Sequence, residues 1–128
     1  MKTILVASIC FIVGILYACQ KSPDIQSLSP DKFEELITDD KVQLVDVRTA
    51  AEYSEGHLPG ALNINVMDDH FENAAQQLLS KDAPVAVYCK SGRRSKKAAQ
   101  ELIKAGYQVY DLDNGIQGWR KADKTIVK

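Results

Sequence analysis

Two kinds of hydrophobic pattern alternate along this chain from Val42 onward: short apolar runs, and longer stretches with apolar residues at helical spacing. Val42 to Val47, Ala61 to Val66, Val85 to Tyr88 and Tyr107 to Leu112 read as strands. The first and third are mostly apolar, as strands buried on both faces are. Ser29-Pro30 followed by Asp31, Glu34 and Glu35 combines an N-cap, a proline at the first helical position and an acidic first turn, and Phe33, Leu36 and Ile37 supply the apolar face. Thr49 to Glu55 predicts a short helix, with Thr49 and Glu52 at capping-box spacing. Gly56 to Gly60 is a turn. Asp68 to Leu79 predicts a weakly amphipathic helix with Phe71, Ala74, Ala75, Leu78 and Leu79 facing inward. Ser91 to Ala105 carries a helix on Ala98, Ala99, Leu102 and Ile103, stopped by Gly106. Ile116 to Lys121 is a last helical turn bearing Trp119. Strands and helices alternating over short connections predict an α/β domain, a parallel sheet covered on both faces. Ligands of such sheets sit beyond the carboxyl ends of the strands, which directs attention to the loop after Tyr88.

Composition narrows the class. The 128 residues are 45% hydrophobic and 26% charged, with a formal net charge of −1. That is one globular domain, and it lacks the positive field that would draw nucleic acid. Three cysteines cannot all pair with one another, and none is spaced as a metal knuckle, so neither a disulfide framework nor a zinc site is expected. His70 beside Asp68 and Asp69 reads as a solvated helix start rather than a metal site. No metal and no organic cofactor are expected.

The N-terminus reads as an address. Lys2 precedes an apolar run from Ile4 to Leu16, broken only by Ser8 and Gly14. The run is too short for a bilayer, which needs about 20 residues, and suits the h-region of a signal peptide. It leads into Leu16-Tyr17-Ala18-Cys19, which resembles the bacterial lipobox. That resemblance implies cleavage before Cys19 and lipidation of Cys19, with residues 1–18 as signal peptide, 19–26 as tether and 27–128 as the folded domain. Plain secretion after Ala18 and a retained anchor are the alternatives; the large Leu16 argues against the first and the length of the run against the second. The expected location is the bacterial cell envelope, with the domain facing the periplasm on a lipid anchor. Gln20 after the cysteine resembles an outer-membrane address. With Cys19 acylated and Cys10 removed, Cys89 is left as a solitary thiol, and a monomer is expected.

Cys89-Lys90-Ser91-Gly92-Arg93-Arg94-Ser95 carries the candidate chemistry. A cysteine ends a buried strand, a glycine able to take positive φ lets the chain curl, and a helix begins at once. Amides in such a curl can form an anion nest, and the helix N-terminus adds partial positive charge. Lys90, Arg93 and Arg94 add formal cations. This setting favours a thiolate on Cys89, the nucleophilic form of the side chain. No His, Asp or Glu lies in the loop, so no paired base is implied. The bland alternative, an inert buried cysteine, leaves the glycine and the three cations unexplained.

These segments together resemble the single-domain rhodaneses, over about residues 27 to 121. Leu44-Val45-Asp46-Val47-Arg48 with Glu52-Tyr53 is similar to the family's first marker, and Gly56-His57-Leu58-Pro59-Gly60-Ala61 to its second. Cys89-x-x-Gly92-x-Arg94-Ser95 is similar to the active-site loop. Asp111-Leu112 through Gly115, Gly118 and Trp119 is similar to the closing marker, with Asn114-Gly115 where the family often has two glycines. The resemblance implies a five-stranded parallel sheet with helices on both faces, and a sulfurtransferase of the thiosulfate:cyanide type. Cys89 would take a sulfane sulfur from a small anionic donor, thiosulfate or a persulfide, and pass it to cyanide or a thiol. Lys90, Ser91, Gly92, Arg93, Arg94 and Ser95 would bind the donor. Asp46, Arg48, Glu52, His57, Gly60 and Trp119 are expected to be structural: the three charged residues as an ion-paired set, His57 bonding backbone or carboxylate, and Trp119 as a core aromatic. Lys96 and Lys97 are expected on the exposed face of the loop helix.

Two rivals stand beside this reading. A cysteine-dependent phosphatase or arsenate reductase places an arginine six positions after the cysteine. Here that position is Ser95, and the arginines fall one and two places early. A persulfide carrier or binding module at the membrane would use the same loop without turnover.

Overall fold

The computed structural model describes residues 25–128. The apolar run, the segment around Cys19 and most of the expected tether lie outside the described residues. Within them the chain forms β1 (Gln26–Leu28), α1 (Pro30–Ile37), β2 (Gln43–Asp46), α2 (Ala50–Glu55), β3 (Leu62–Asn63), α3 (Phe71–Leu78), β4 (Val85–Tyr88), α4 (Arg93–Lys104), β5 (Val109–Leu112) and α5 (Gly115–Lys121). Every strand pairing is parallel, in the order β1-β5-β4-β2-β3. The expected α/β architecture with five parallel strands is borne out.

Period-two alternation splits the core in two. Val45, Val47, Val85, Val87 and Cys89 face Phe71 of α3, its neighbour Ala75, and Ala98, Ala99 and Leu102 of α4. Ala86 and Tyr88 face the other way, onto Phe33 of α1 and Ile116 and Trp119 of α5. Burial of this order contributes about 25 cal/mol for each Å² of apolar surface. All four residues of the central strand β4 are buried, which holds the segment leading into Cys89 from both sides.

The local signals act as expected at two helix starts. Ser29 accepts from the Lys32 amide ahead of Pro30, and Thr49 and Glu52 form a full capping box. Several other elements are shorter than the pattern suggested. The expected Ala61–Val66 strand is a two-residue edge strand, although the Ile64 and Val66 amides still bond Asp46 and Val47 carbonyls. Leu78 was expected inward and is 56% exposed. The helix ends there, and Leu79, in extended conformation, takes the buried place instead. β1 is not visible in the pattern of Gln26-Ser27-Leu28, which has one apolar residue and lies at an edge beside β5. It begins at Gln26, one residue inside the stretch expected to be tether.

Candidate active site

Cys89 stands at the carboxyl end of the central strand and is 1% exposed. Gly92, at φ 103°, turns the chain back so that its own amide donates to Cys89 Sγ at 3.1 Å. That left-handed geometry costs an L side chain about 1–2 kcal/mol, which is why glycine suits the position. The Ser95 hydroxyl, fully buried, lies 3.5 Å from the same sulfur. α4 starts at Arg93 with no side chain capping it, so its first-turn donors and the positive end of its dipole are left beside the thiol.

The loop carbonyls are held elsewhere. Cys89 O accepts from the Ile116 amide at 2.9 Å, and Lys90 O from the Gln117 amide at 3.1 Å. A trans peptide sets each following N–H opposite its carbonyl, so the amides of Lys90 and Ser91 point away from α5. The close approach depends on Gly115: a Cβ there would fall 2.5 Å from the carbonyl oxygens of both Cys89 and Lys90. Asn114 and Gly115 both have positive φ, 61° and 57°. The Asn-Gly pair thus supplies the left-handed turn that seats α5 against the loop.

The charged residues divide into two groups. Asp46, fully buried, takes the Arg48 guanidinium through Nε and Nη2, the latter at 2.6 Å, and accepts from the Tyr88 hydroxyl at 2.6 Å. Arg48 Nη2 also reaches Gly56 O, and Tyr88 Oη accepts from the Leu58 amide. Burial, and then the Asp46 carboxylate, push the Tyr88 phenol well above its usual range. This network fixes the Gly56–Gly60 turn to the end of β2.

Glu52 is not part of it, contrary to the expected set of three. Its carboxylate is claimed by Arg94, with Nη1 to Oε1 at 2.8 Å and Nη2 to Oε2 at 2.9 Å. The bidentate bond to Arg94 holds Glu52 down at about 2, with Thr49 contributing further bonds. Arg94, expected to meet the donor, therefore already has a fork-on-fork partner. α2 lies close enough to α4 to offer one, which the sequence order did not suggest. Lys90 and Arg93 are exposed and make no ion pair among the described residues, and Ser91 is also exposed.

Lys96 was expected simply on the exposed face. Its ammonium turns back to the buried Asp111 carboxylate at 3.0 Å and to Gly92 O at 3.5 Å. Sequence reasoning passed over this Asp111–Lys96 prop. An acid inside a mostly buried strand, opposite a lysine on the helix covering it, is the signal that could have found it. His57 stacks on Tyr53 and its Nδ1 bonds Tyr53 O at 2.9 Å. Gly60 takes φ 82° in the turn. Trp119 is 2% exposed, meets Phe33 edge to face, and donates to Thr125 O.

A doubly covered parallel sheet, with a cysteine curled under a glycine amide at its carboxyl edge, defines the class: α/β domains that hold a cysteine sulfur at a strand-to-helix loop. The sequence pattern of the rhodanese-like domain matches residues 29–122, and the chain belongs to that family. It is 35% identical over 98 residues to the thiosulfate sulfurtransferase GlpE of Shewanella oneidensis, covering 75% of this chain and 93% of that one. It is 36% identical over 105 residues to a sulfurtransferase of Allochromatium vinosum, covering 81% and 92%. Among solved structures, a rhodanese-related protein from Thermoplasma volcanium superposes with a TM-score of 0.70 at 26% identity, covering 80% of this chain and 97% of that one.

Proposed function

We propose that this protein is a sulfurtransferase that works through a persulfide on Cys89. The Cys89 thiolate attacks the sulfane sulfur of thiosulfate or of a persulfide donor. With thiosulfate, the sulfur–sulfur bond breaks and sulfite leaves with the electron pair. Cyanide or a thiol then attacks the outer sulfur of the Cys89 persulfide, and the thiolate returns. Neither step needs a paired base. The observation that carries this reading is the Gly92 amide 3.1 Å from Cys89 Sγ at the uncapped start of α4. These donors meet the negative charge that returns to Cys89 Sγ as the outer sulfur is transferred. Exposed Lys90 and Arg93 would draw the anionic donor toward the loop. The relatives named as sulfurtransferases support the same reaction class.

The phosphatase reading loses its clamp. The sixth position after Cys89 holds Ser95, whose hydroxyl is against the thiol, and Arg94 is bound to Glu52. The test is the intact mass of the protein before and after thiosulfate, beside Cys89→Ser. One added sulfur atom in the parent, removed by cyanide and absent from the variant, is expected. No added sulfur with thiosulfate or a persulfide donor overturns the reading. Many turnovers per protein would set an enzyme apart from a carrier that loads once.

We also propose that Cys19 carries the lipid, that residues 1–18 are removed, and that the domain faces the periplasm on a short tether. The support is the apolar run followed by Leu16-Tyr17-Ala18-Cys19. Cys19→Ala is expected to abolish labelling by radioactive palmitate in a bacterial host and to release the protein from membranes. Palmitate labelling that survives the substitution would sink the assignment.

A further inference from the structure

Beside the cysteine loop is an open cavity of about 310 Å³, with Arg48, Glu52, Glu55, Lys90, Ile116, Gln117 and Arg120 in its walls. Two of its charges are already spent: Arg48 on Asp46 and Glu52 on Arg94. Three are not. Lys90, Arg120 and Glu55 make no ion pair among the described residues, although all three border the same space. Arg120 Nη2 is positioned over the turn at Gly56, where an added Cβ would come within 2.9 Å of it. The Gln117 amide side chain adds a neutral polar group, and buried Ile116 an apolar one.

We propose that this cavity is the acceptor subsite, and that it takes a small thiol carrying both a carboxylate and an ammonium, an amino-acid-type head. The inference rests on the persulfide reading above and names the acceptor class for it. The free guanidinium and ammonium of Arg120 and Lys90 suit a carboxylate, Arg120 by its two-pronged geometry. Glu55 suits the ammonium. A simple anion would meet Glu55 as a repulsive neighbour, and a simple cation would meet two. A head with both charges satisfies all three. The volume lies at the lower end of the range for ligand cavities, about 300 to 1,000 Å³, which fits a small molecule. The cavity adjoins the cysteine loop through Lys90, the residue after Cys89, and through Ile116, whose amide bonds the Cys89 carbonyl. In the transfer itself the acceptor thiol loses its proton to solvent. Its thiolate attacks the outer sulfur of the Cys89 persulfide, which takes up a proton from solvent. The sulfur–sulfur bond breaks with the electron pair on Cys89, and the acceptor leaves as a hydropersulfide.

The test uses four thiols with the full-length protein: cysteine, cysteamine, 3-mercaptopropionate and 2-mercaptoethanol, which carry both charges, the ammonium, the carboxylate and neither. Turnover is followed as sulfite released from thiosulfate. Comparing each variant with the parent for the same thiol cancels that thiol's own reactivity. Arg120→Gln is expected to raise KM about tenfold for cysteine and 3-mercaptopropionate, and about twofold or less for the other two. Glu55→Gln is expected to do the same for cysteine and cysteamine. Arg120→Lys should recover part of the loss, which a merely unfolded variant would not. Equal KM changes for all four thiols, no change, or a rise confined to thiosulfate would each overturn the subsite. Loading of Cys89 is read by mass before any acceptor is added. Failure to load overturns the persulfide reading itself, and is distinct from normal loading with no charge preference.

Discussion

Asp46 and Glu52 are six positions apart and hold different arginines, one deep in the domain and one near its surface. Their depths set different expectations. Arg48 is 5% exposed, and replacing it with alanine leaves the Asp46 carboxylate buried and half-paired. A loss of about 3–5 kcal/mol is expected, read as a lower midpoint in urea. Glu52 is expected to show itself through pH. Its folded value of about 2 lies below its ordinary 4.5, so its contribution is fully present above pH 4.5 and fades as pH falls toward 2. Partial exposure screens the pair, so about 1 kcal/mol is at stake. Glu52→Gln should flatten the acid limb of the stability curve between those two pH values, and an unchanged limb would refute the assignment. The sequence showed that Asp46, Arg48 and Glu52 needed partners. It did not show which, because Arg94 follows 42 positions after Glu52 and only the fold brings α4 beside α2.

At the level of elements, the cysteine loop is held from behind. α5 donates two backbone amides to it, and Trp119 anchors α5 against Phe33. Gly115→Ala therefore brings a methyl group against two carbonyl oxygens and forces positive φ on a residue with a side chain. A loss of about 2–4 kcal/mol is expected. With the loop displaced, cyanide turnover should fall more than the fraction of folded protein does. Retained turnover in a destabilised Gly115→Ala variant would show that α5 supports stability alone. Most elements were legible in advance because their cues are local: Ser29-Pro30, the Thr49–Glu52 box, the apolar run of β4. The turn at Asn114-Gly115 was legible too, but its purpose was not. A positive φ shows in the residue type, whereas a carbonyl waiting 2.9 Å from the next amide does not.

For the molecule as a whole, the C-terminal segment returns to the turn beside α2. Val127 exchanges backbone hydrogen bonds with His57, and Thr125 O accepts from Trp119 Nε1. Removing residues 125–128 breaks these three bonds and uncovers the indole. About 2–3 kcal/mol should be lost, or about 10 °C or more in Tm for a domain near this size. An unchanged Tm would show that the segment merely rests on the surface. Such closure is hard to read from sequence, since Ile126-Val127 is too short a run to announce a partner. The same holds for β1, whose exposed Gln26 and Ser27 carry no apolar signal and which pairs, among the described strands, with β5. That pairing joins Gln26 to Tyr110, across most of the described chain. Closing so wide a loop is slow relative to local contacts. A chain emerging from the ribosome with its N-terminus first holds the first strand of the sheet long before it holds the strand that strand needs. Until Leu112 has been made, the sheet has no place for its own beginning, and β1 stays open to whatever else meets it first.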